Sequence, residues 1–111
     1  MRHEARPVHV AKASLFRVLG HPARVRILEL LQDGERSVGA LQGELGLNSG
    51  GTSQHLAALR GAGLVETRRE GTSVYYRVDD RRVFDLLEAG RAIISRRLTA
   101  EQSLLRELGP E

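Results

Sequence analysis

A mainly α domain with one small β-hairpin and long terminal helices is the fold the sequence predicts. Three observations carry that reading. Apolar residues recur at three- and four-residue spacing over most of the chain. The period switches to two only around residues 64–78. Gly, Pro and Asn fall between the periodic stretches, where turns belong. At 111 residues the chain has material for one small domain, and its core is modest enough that pairing with a second copy would help it.

Over 10–19, Ala11, Leu15, Val18 and Leu19 lie on one helical face, and Gly20 ends it. His21 and Pro22 open the next helix, with Pro suited to the first turn and His21 to the cap. Val25, Ile27, Leu28, Leu30 and Leu31 make its broad apolar face over 23–32, and Asp33-Gly34 breaks it. Arg36-Ser37-Val38 is long enough for one small strand or a helix entry. Ser37 is an N-cap for Val38–Leu45, and Gly46 supplies a left-handed stop. Asn48 caps the following helix, which runs to about Ala62 with Thr52, Leu56 and Leu59 facing one way. Val74, Tyr76 and Val78 then alternate with Tyr75 and Arg77 as in a half-buried strand; residues 64–69 supply its partner and 70–73 the turn. Asp79-Asp80 caps a last helix with Val83, Leu87, Gly90, Ile94 and Leu98 along one side. Leu104, Leu105 and Leu108 continue it.

Two short helices across the Gly46-Leu47-Asn48 turn have the form of a helix-turn-helix, and a hairpin directly after one makes a winged helix. The expected organisation is a flexible leader over 1–8 and a DNA-binding and dimerisation domain over 9–111.

The absence of Cys excludes a disulfide framework, a Cys nucleophile and any thiolate metal site. No apolar run approaches the roughly 20 residues a membrane span requires, and the first residues lack a signal-peptide core. A soluble, cytoplasmic protein is expected. Net charge is +3, with sixteen Arg and one Lys. Arg suits phosphate and guanine edges, although a GC-rich genome gives the same excess. Basic groups outnumber acidic ones eight to five over 1–63 but fall behind, six to seven, over 79–111. An anionic partner would therefore meet the first two thirds of the chain.

Four stretches together carry a family resemblance. They are Leu19-Gly20-His21-Pro22-Ala23-Arg24-Val25-Arg26-Ile27-Leu28, Thr52-Ser53-Gln54-His55-Leu56, Leu59-Arg60-Gly61-Ala62-Gly63-Leu64-Val65, and Arg68-Arg69-Glu70-Gly71 with Tyr75-Tyr76. In this order and spacing the chain resembles the ArsR/SmtB family of bacterial winged-helix repressors. The resemblance implies a homodimer that binds a double-stranded operator of inverted-repeat symmetry and represses transcription until a signal arrives. It does not carry the family's familiar metal sites: Val38–Leu45 has no Cys, and residues 81–108 have no His.

In a groove-binding helix the first two turns reach base edges. Here the outward set is Ser49, Gly50, Gly51, Ser53, Gln54 and His55. Gln bonds adenine bidentately, Ser serves bases or phosphate, and glycines let backbone approach phosphate at a helix N-terminus. The bland counterpart is a solvated Gln54 and a packed His55. On the wing, Arg68 and Arg69 are candidates for phosphate or the minor groove, against simple pairing with Glu66 and Glu70. Tyr75 and Tyr76 read as packing residues.

Enzyme readings fail. Residues 46–52 resemble a Walker A loop without its Lys and without a preceding strand. Ser53 and His55, two apart on a helix, do not face each other. The alternative function is a winged helix used only for protein–protein contact. No cofactor is required. A metal effector would use His3, third from a free amine, in a square-planar set suited to Ni(II). His3, Glu4 and His9 offer a looser octahedral site for a divalent metal, and the competing readings are an incidental His3 in a leader or an accessory protein as signal.

Overall fold

The computed structural model describes residues 6–109. The chain forms two compact units, Met1–Asp80 and Arg81–Glu111. The first unit contains α1 (Val8–Leu19), α2 (Pro22–Leu30), β1 (Arg36–Ser37), α3 (Val38–Leu45), α4 (Ser49–Gly61), β2 (Glu66–Glu70) and β3 (Ser73–Arg77). The second is a single helix, α5 (Arg82–Leu108). The mainly α winged helix-turn-helix expected from the sequence is the fold observed.

Helix α1 starts two residues earlier than its apolar period suggested. Pro7, which cannot donate, sits at its cap, and its carbonyl accepts from Val10 and Ala11. Val8 therefore belongs to the helix and not to the leader read over 1–8. Arg6 is tied in as well, donating from Nη1 to the Ser14 hydroxyl at 3.0 Å. Helix α2 ends sooner than expected, at Leu30, and a single 3-10 turn over Leu31–Asp33 completes its span.

The three-stranded sheet has the order β1-β3-β2, antiparallel throughout. Arg36 and Ser37 pair with Tyr76 and Tyr75, so the short strand before α3 is part of the wing's sheet. The hairpin turn is tighter than the four residues expected. Glu70 pairs with Ser73, leaving only Gly71 and Thr72 in the loop, and Gly71 takes φ +62° as a two-residue hairpin requires. Helix α5 begins after Arg81, with no side-chain cap. The expected cap, Asp79-Asp80, precedes that position, and Asp79 accepts from the Arg77 guanidinium at 2.8 Å.

The core that positions α4 lies among α2, α3 and α4, which contact one another pairwise. Ile27 and Leu28 of α2, Leu41 of α3, and Leu56 and Leu59 of α4 are fully buried. Thr52 is buried with them, its hydroxyl donating to the Asn48 carbonyl at 3.0 Å, so it brings no unsatisfied group into the core. The helix ends follow the cap chemistry expected. Ser37 accepts from Ala40 N–H, Gly46 adopts φ +67°, and the Asn48 carboxamide accepts from Gly51 N–H at 2.7 Å.

These contacts distinguish two adjacent glycines. A Cβ on Gly50 would meet Asn48 Oδ1 at an ordinary 3.6 Å, whereas one on Gly51 would meet it at 3.3 Å. Asn48→Ala is expected to cost about 1 kcal/mol of stability. Gly50→Ala should gain up to about 1 kcal/mol, and Gly51→Ala distinctly less, because its Cβ presses on the cap. Urea denaturation of the three variants checks the order.

Candidate nucleic-acid interface

Helix α4 has two unlike sides. Thr52, Leu56 and Leu59 are buried, while Ser49, Gly50, Ser53, Gln54 and Ala57 are exposed. Gly51 is half-buried beside the cap. Over the first turns the exposed side is made of small residues around one long polar group, the Gln54 carboxamide, and the exposed Arg60 follows on the same side in the last turn. A surface so low lets the helix axis lie close to a groove floor, with Gln54 the side chain long enough to bond a base edge. Ala57 was not foreseen from the sequence. It lies one turn beyond Ser53 on the same side, and a helical wheel drawn from the buried trio would have found it.

His55 does not share that side. It is half-buried, and its Nδ1 accepts from Arg24 Nε at 3.1 Å. Its ring packs on His21, with centroids 4.2 Å apart and planes tilted by 55°. Arg24 also donates from Nη1 to the Val18 carbonyl at 3.3 Å, so one guanidinium joins the end of α1 to α2 and α4. His21 caps α2 as expected, accepting from Ala23 N–H at 3.3 Å. Burial first, then the neighbouring His21 and the Arg24 charge, hold the His55 pKa below the ordinary histidine value.

On the wing the two candidate arginines have different surroundings. Arg68 forms a forked pair with Glu35, Nη2 to Oε1 at 2.6 Å and Nε to Oε2 at 3.0 Å, and a second pair with Glu70 at 2.8 Å. Its guanidinium also lies 4.7 Å over the Tyr75 ring. Glu35, 33 positions away along the chain, was not foreseen as a partner, and Glu66 is not one. Hydrogen bonding to Arg68 holds the Glu35 carboxyl below the usual carboxylate range, and the pairing raises Arg68 in turn. Arg69 points to the opposite sheet face, as strand alternation requires. It is exposed and, among the described residues, has no hydrogen-bond or ion-pair partner. Tyr75 and Tyr76 are half-buried, which fits packing better than base stacking.

The expected metal ligands His3 and Glu4 lie outside the described residues, and His9 is exposed on α1. Among the described residues no cluster of three or more His, Asp or Glu side chains is placed to hold a metal ion. An open cleft of about 370 Å³ lies between the start of α3 and the hairpin turn, lined by Ser37, Val38, Gly39, Thr72, Ser73 and Val74. Its lining holds no ionisable side chain. Among the described residues no helix is long and apolar enough to cross a membrane.

A second helix after a tight turn, followed at once by a paired hairpin, defines a winged helix-turn-helix. Residues 21–67 match the profile of the bacterial regulatory protein arsR family. The chain is 41% identical over 106 residues to Rv0081, an HTH-type transcriptional regulator of Mycobacterium tuberculosis strain H37Rv, covering 95% of this chain and 93% of that one. The crystal structure of Rv0081 superposes with a TM-score of 0.80 over 87% of this chain and 98% of that one. A biofilm growth-associated repressor of Agrobacterium fabrum is 42% identical over 81 residues, 73% of this chain and 69% of its own. The solution structure of the homodimeric winged helix-turn-helix DNA-binding domain Mb0332 from Mycobacterium bovis is similar at 34% identity. Its TM-score is 0.72, covering 86% of this chain and 91% of that one. This chain belongs to the arsR family. It is a DNA-binding transcriptional regulator and not an enzyme, which favours the regulator reading over a module for protein contact alone.

The depressed His55 pKa fixes a sign for stability against pH. The unfolded chain protonates first, near the ordinary value of 6.5. The contribution is therefore complete above that value and is lost as pH falls from it toward the lower folded pKa. Thermal unfolding between pH 7.5 and 5.5 should show a steeper acid loss in the wild type than in His55→Gln. Parallel profiles would mean that the imidazole is not held neutral.

Proposed function

We propose that this regulator acts as a homodimeric repressor in the cytoplasm, binding an inverted-repeat operator through helix 49–62 and wing 66–77. The observation that carries the reading is the low, exposed side of α4 over its first turns, where Gln54 alone extends before Arg60 in the last turn. Ser49, Ser53 and the backbone at Gly50 and Gly51 serve the sugar-phosphate edge, Gln54 reads a base, and Arg69 contacts phosphate or the minor groove. Arg68, matched by two carboxylates, shapes the wing more than it adds charge. Repression is supported by the name of the Agrobacterium relative, and dimerisation by the homodimeric Mb0332 domain. Exposed Val8, Val10 and Phe16 on α1, and Ile93, Ile94, Leu98, Leu104, Leu105 and Leu108 on α5, supply apolar surface for pairing with a second copy. Such pairing sets two reading helices about one DNA turn apart.

Selection of bound duplexes from a random pool, followed by titration at several salt concentrations, tests this. Gln54→Ala should cost roughly 1–3 kcal/mol on the best operator and relax one position in each half-site. Arg69→Ala should weaken all duplexes alike and shallow the salt slope by about one unit per copy bound. Arg68→Ala should change the slope less. Removal of residues 95–111 should lower dimerisation and operator binding together. Unchanged base preference in Gln54→Ala would refute the reading helix, and a monomer bound to each half-site without cooperativity would refute the dimer.

For the signal, we infer a metal effector of borderline softness such as Ni(II), with His3 and His9 as its imidazole ligands. An accessory protein is the other source of a signal. Calorimetry with nickel on the full chain and on a form lacking residues 1–8 decides between them. Loss of binding on truncation, with operator affinity intact, is the expected result; equal binding by both forms would place the metal elsewhere.

A further inference from the structure

The cluster joining α2 to α4 has a chemistry that its packing role does not exhaust. Arg24 is half-buried and, among the described residues, has no carboxylate partner, whereas Arg26, Arg68, Arg77 and Arg91 each have one. It spends its Nε–H on His55 Nδ1 and one Nη1 proton on the Val18 carbonyl, leaving Nη2 without a described partner. Its cationic charge is thus uncompensated beside two imidazoles.

Both imidazoles are oriented as donors. The Nδ1 atom of each accepts a hydrogen bond, His21 from Ala23 N–H and His55 from Arg24. A neutral imidazole that accepts at Nδ1 must carry its proton at Nε2. Each ring therefore has an Nε2–H to give, and the rings are only 4.2 Å apart. Among the described residues no side-chain nitrogen or oxygen is both buried and without a partner. The Nε2 of half-buried His55, which has no described partner, thus reaches solvent, and so does Arg24 Nη2. His21 is exposed. Three N–H donors and one permanent positive charge, with no acidic group among them, are the complement of a tetrahedral anion.

The place on α4 selects which anion. His55 lies about 100° around the helix from Gln54, on the flank between the low exposed side and the buried one. A duplex seated on the Gln54 side carries its backbone along such a flank. We propose that Arg24, His21 and His55 form a binding site for one phosphate of the DNA backbone, separate from the base-reading side of α4 and from the wing. This rests on the DNA-binding reading above. It makes α2 a third contact to the duplex and fixes the rotation of α4 in the groove, because the same guanidinium that meets the phosphate also bonds the helix at His55.

The test uses the full-length protein and its best selected duplex. Arg24→Gln should shallow the salt slope by about 0.9 for each phosphate it no longer neutralises, without altering base preference. His21→Asn keeps an oxygen to cap α2, and His55→Gln keeps an acceptor for Arg24. Each should lower affinity roughly three- to tenfold for all duplexes alike, as the loss of a single hydrogen bond does. Neutral methylphosphonate placed singly along the duplex should find one position per half-site that weakens wild type but not Arg24→Gln. Thermal unfolding identifies a variant that has lost its fold, and His21→Asn, on an exposed cap, then carries the test.

Steep, sequence-selective binding by wild type with unchanged slopes and affinities in all three variants would overturn the site while leaving the regulator intact. No duplex binding by wild type would instead overturn the reading on which it rests. Inorganic phosphate that shifts the imidazole resonances at millimolar concentration, with no methylphosphonate position distinguishing wild type from Arg24→Gln, would assign the cluster to a free anion and overturn the DNA proposal.

Discussion

The structure depends on one constraint at α4: the helix must be held firmly from one side while the other side stays low and bare. Thr52, Leu56 and Leu59 meet the first requirement, buried with Ile27, Leu28 and Leu41 of the two helices they contact. A buried leucine removed from such a site costs about 2–5 kcal/mol, a large share of the stability of a small domain. Thirteen residues are marginal as an isolated helix, and two consecutive glycines weaken this one further. Tertiary packing and the Asn48 cap therefore hold α4 in place. That leaves the exposed residues free to be chosen for what they present to a groove.

Arginine placement follows a similar division of roles. Arg36 donates to the Leu30 carbonyl at 2.8 Å and ties β1 to the end of α2. Arg68 bridges from the hairpin to Glu35, immediately before β1, and lies across Tyr75, so the wing is braced against the chain that leads into α3. The Arg68 pairs are exposed, and exposed ion pairs contribute little on their own. Their value lies in orientation, since a forked guanidinium–carboxylate pair fixes two planes at once. Consecutive arginines on β2 thus diverge: alternation sends Arg68 to its carboxylates and leaves Arg69 to solvent.

The order of elements and their boundaries were largely legible in the sequence, because they rest on local chemistry. Ser37, Asn48, His21 and Gly46 act within two to four residues of themselves, and the apolar period of α4 named its buried trio. Contacts between distant segments were not legible. Nothing in the pattern pairs Glu35 with Arg68, or Arg24 with His55, since each depends on how a loop or helix is carried across the fold. The same reason explains His55. Its position in the second turn suggested an outward group, but the neighbouring α2 supplies both a donor and a ring to receive it. At α5 a local rule failed by position: the cap falls on Arg81, beyond the Asp79-Asp80 pair that the sequence offered, and Asp79 accepts from Arg77 instead.

The long helix α5 raises a question of its own. Its 27 residues include six large apolar side chains more than half exposed, Ile93, Ile94, Leu98, Leu104, Leu105 and Leu108. Fully burying such a side chain is worth about 1.5–3 kcal/mol. Even a fraction of that, gained by both copies at once in a two-fold contact, rivals the lower estimates for the lost freedom of association, about 4 kcal/mol. The charges on the same stretch, Arg96, Arg97, Glu101, Arg106 and Glu107, keep it dispersed in water, and their stems can cover apolar surface while their ends remain solvated. A helix built this way is suited to an interface with a polar rim. On the proposed inverted-repeat operator such an interface would do more than add stability, because the spacing of the two copies of α4 would be set by whatever holds them together.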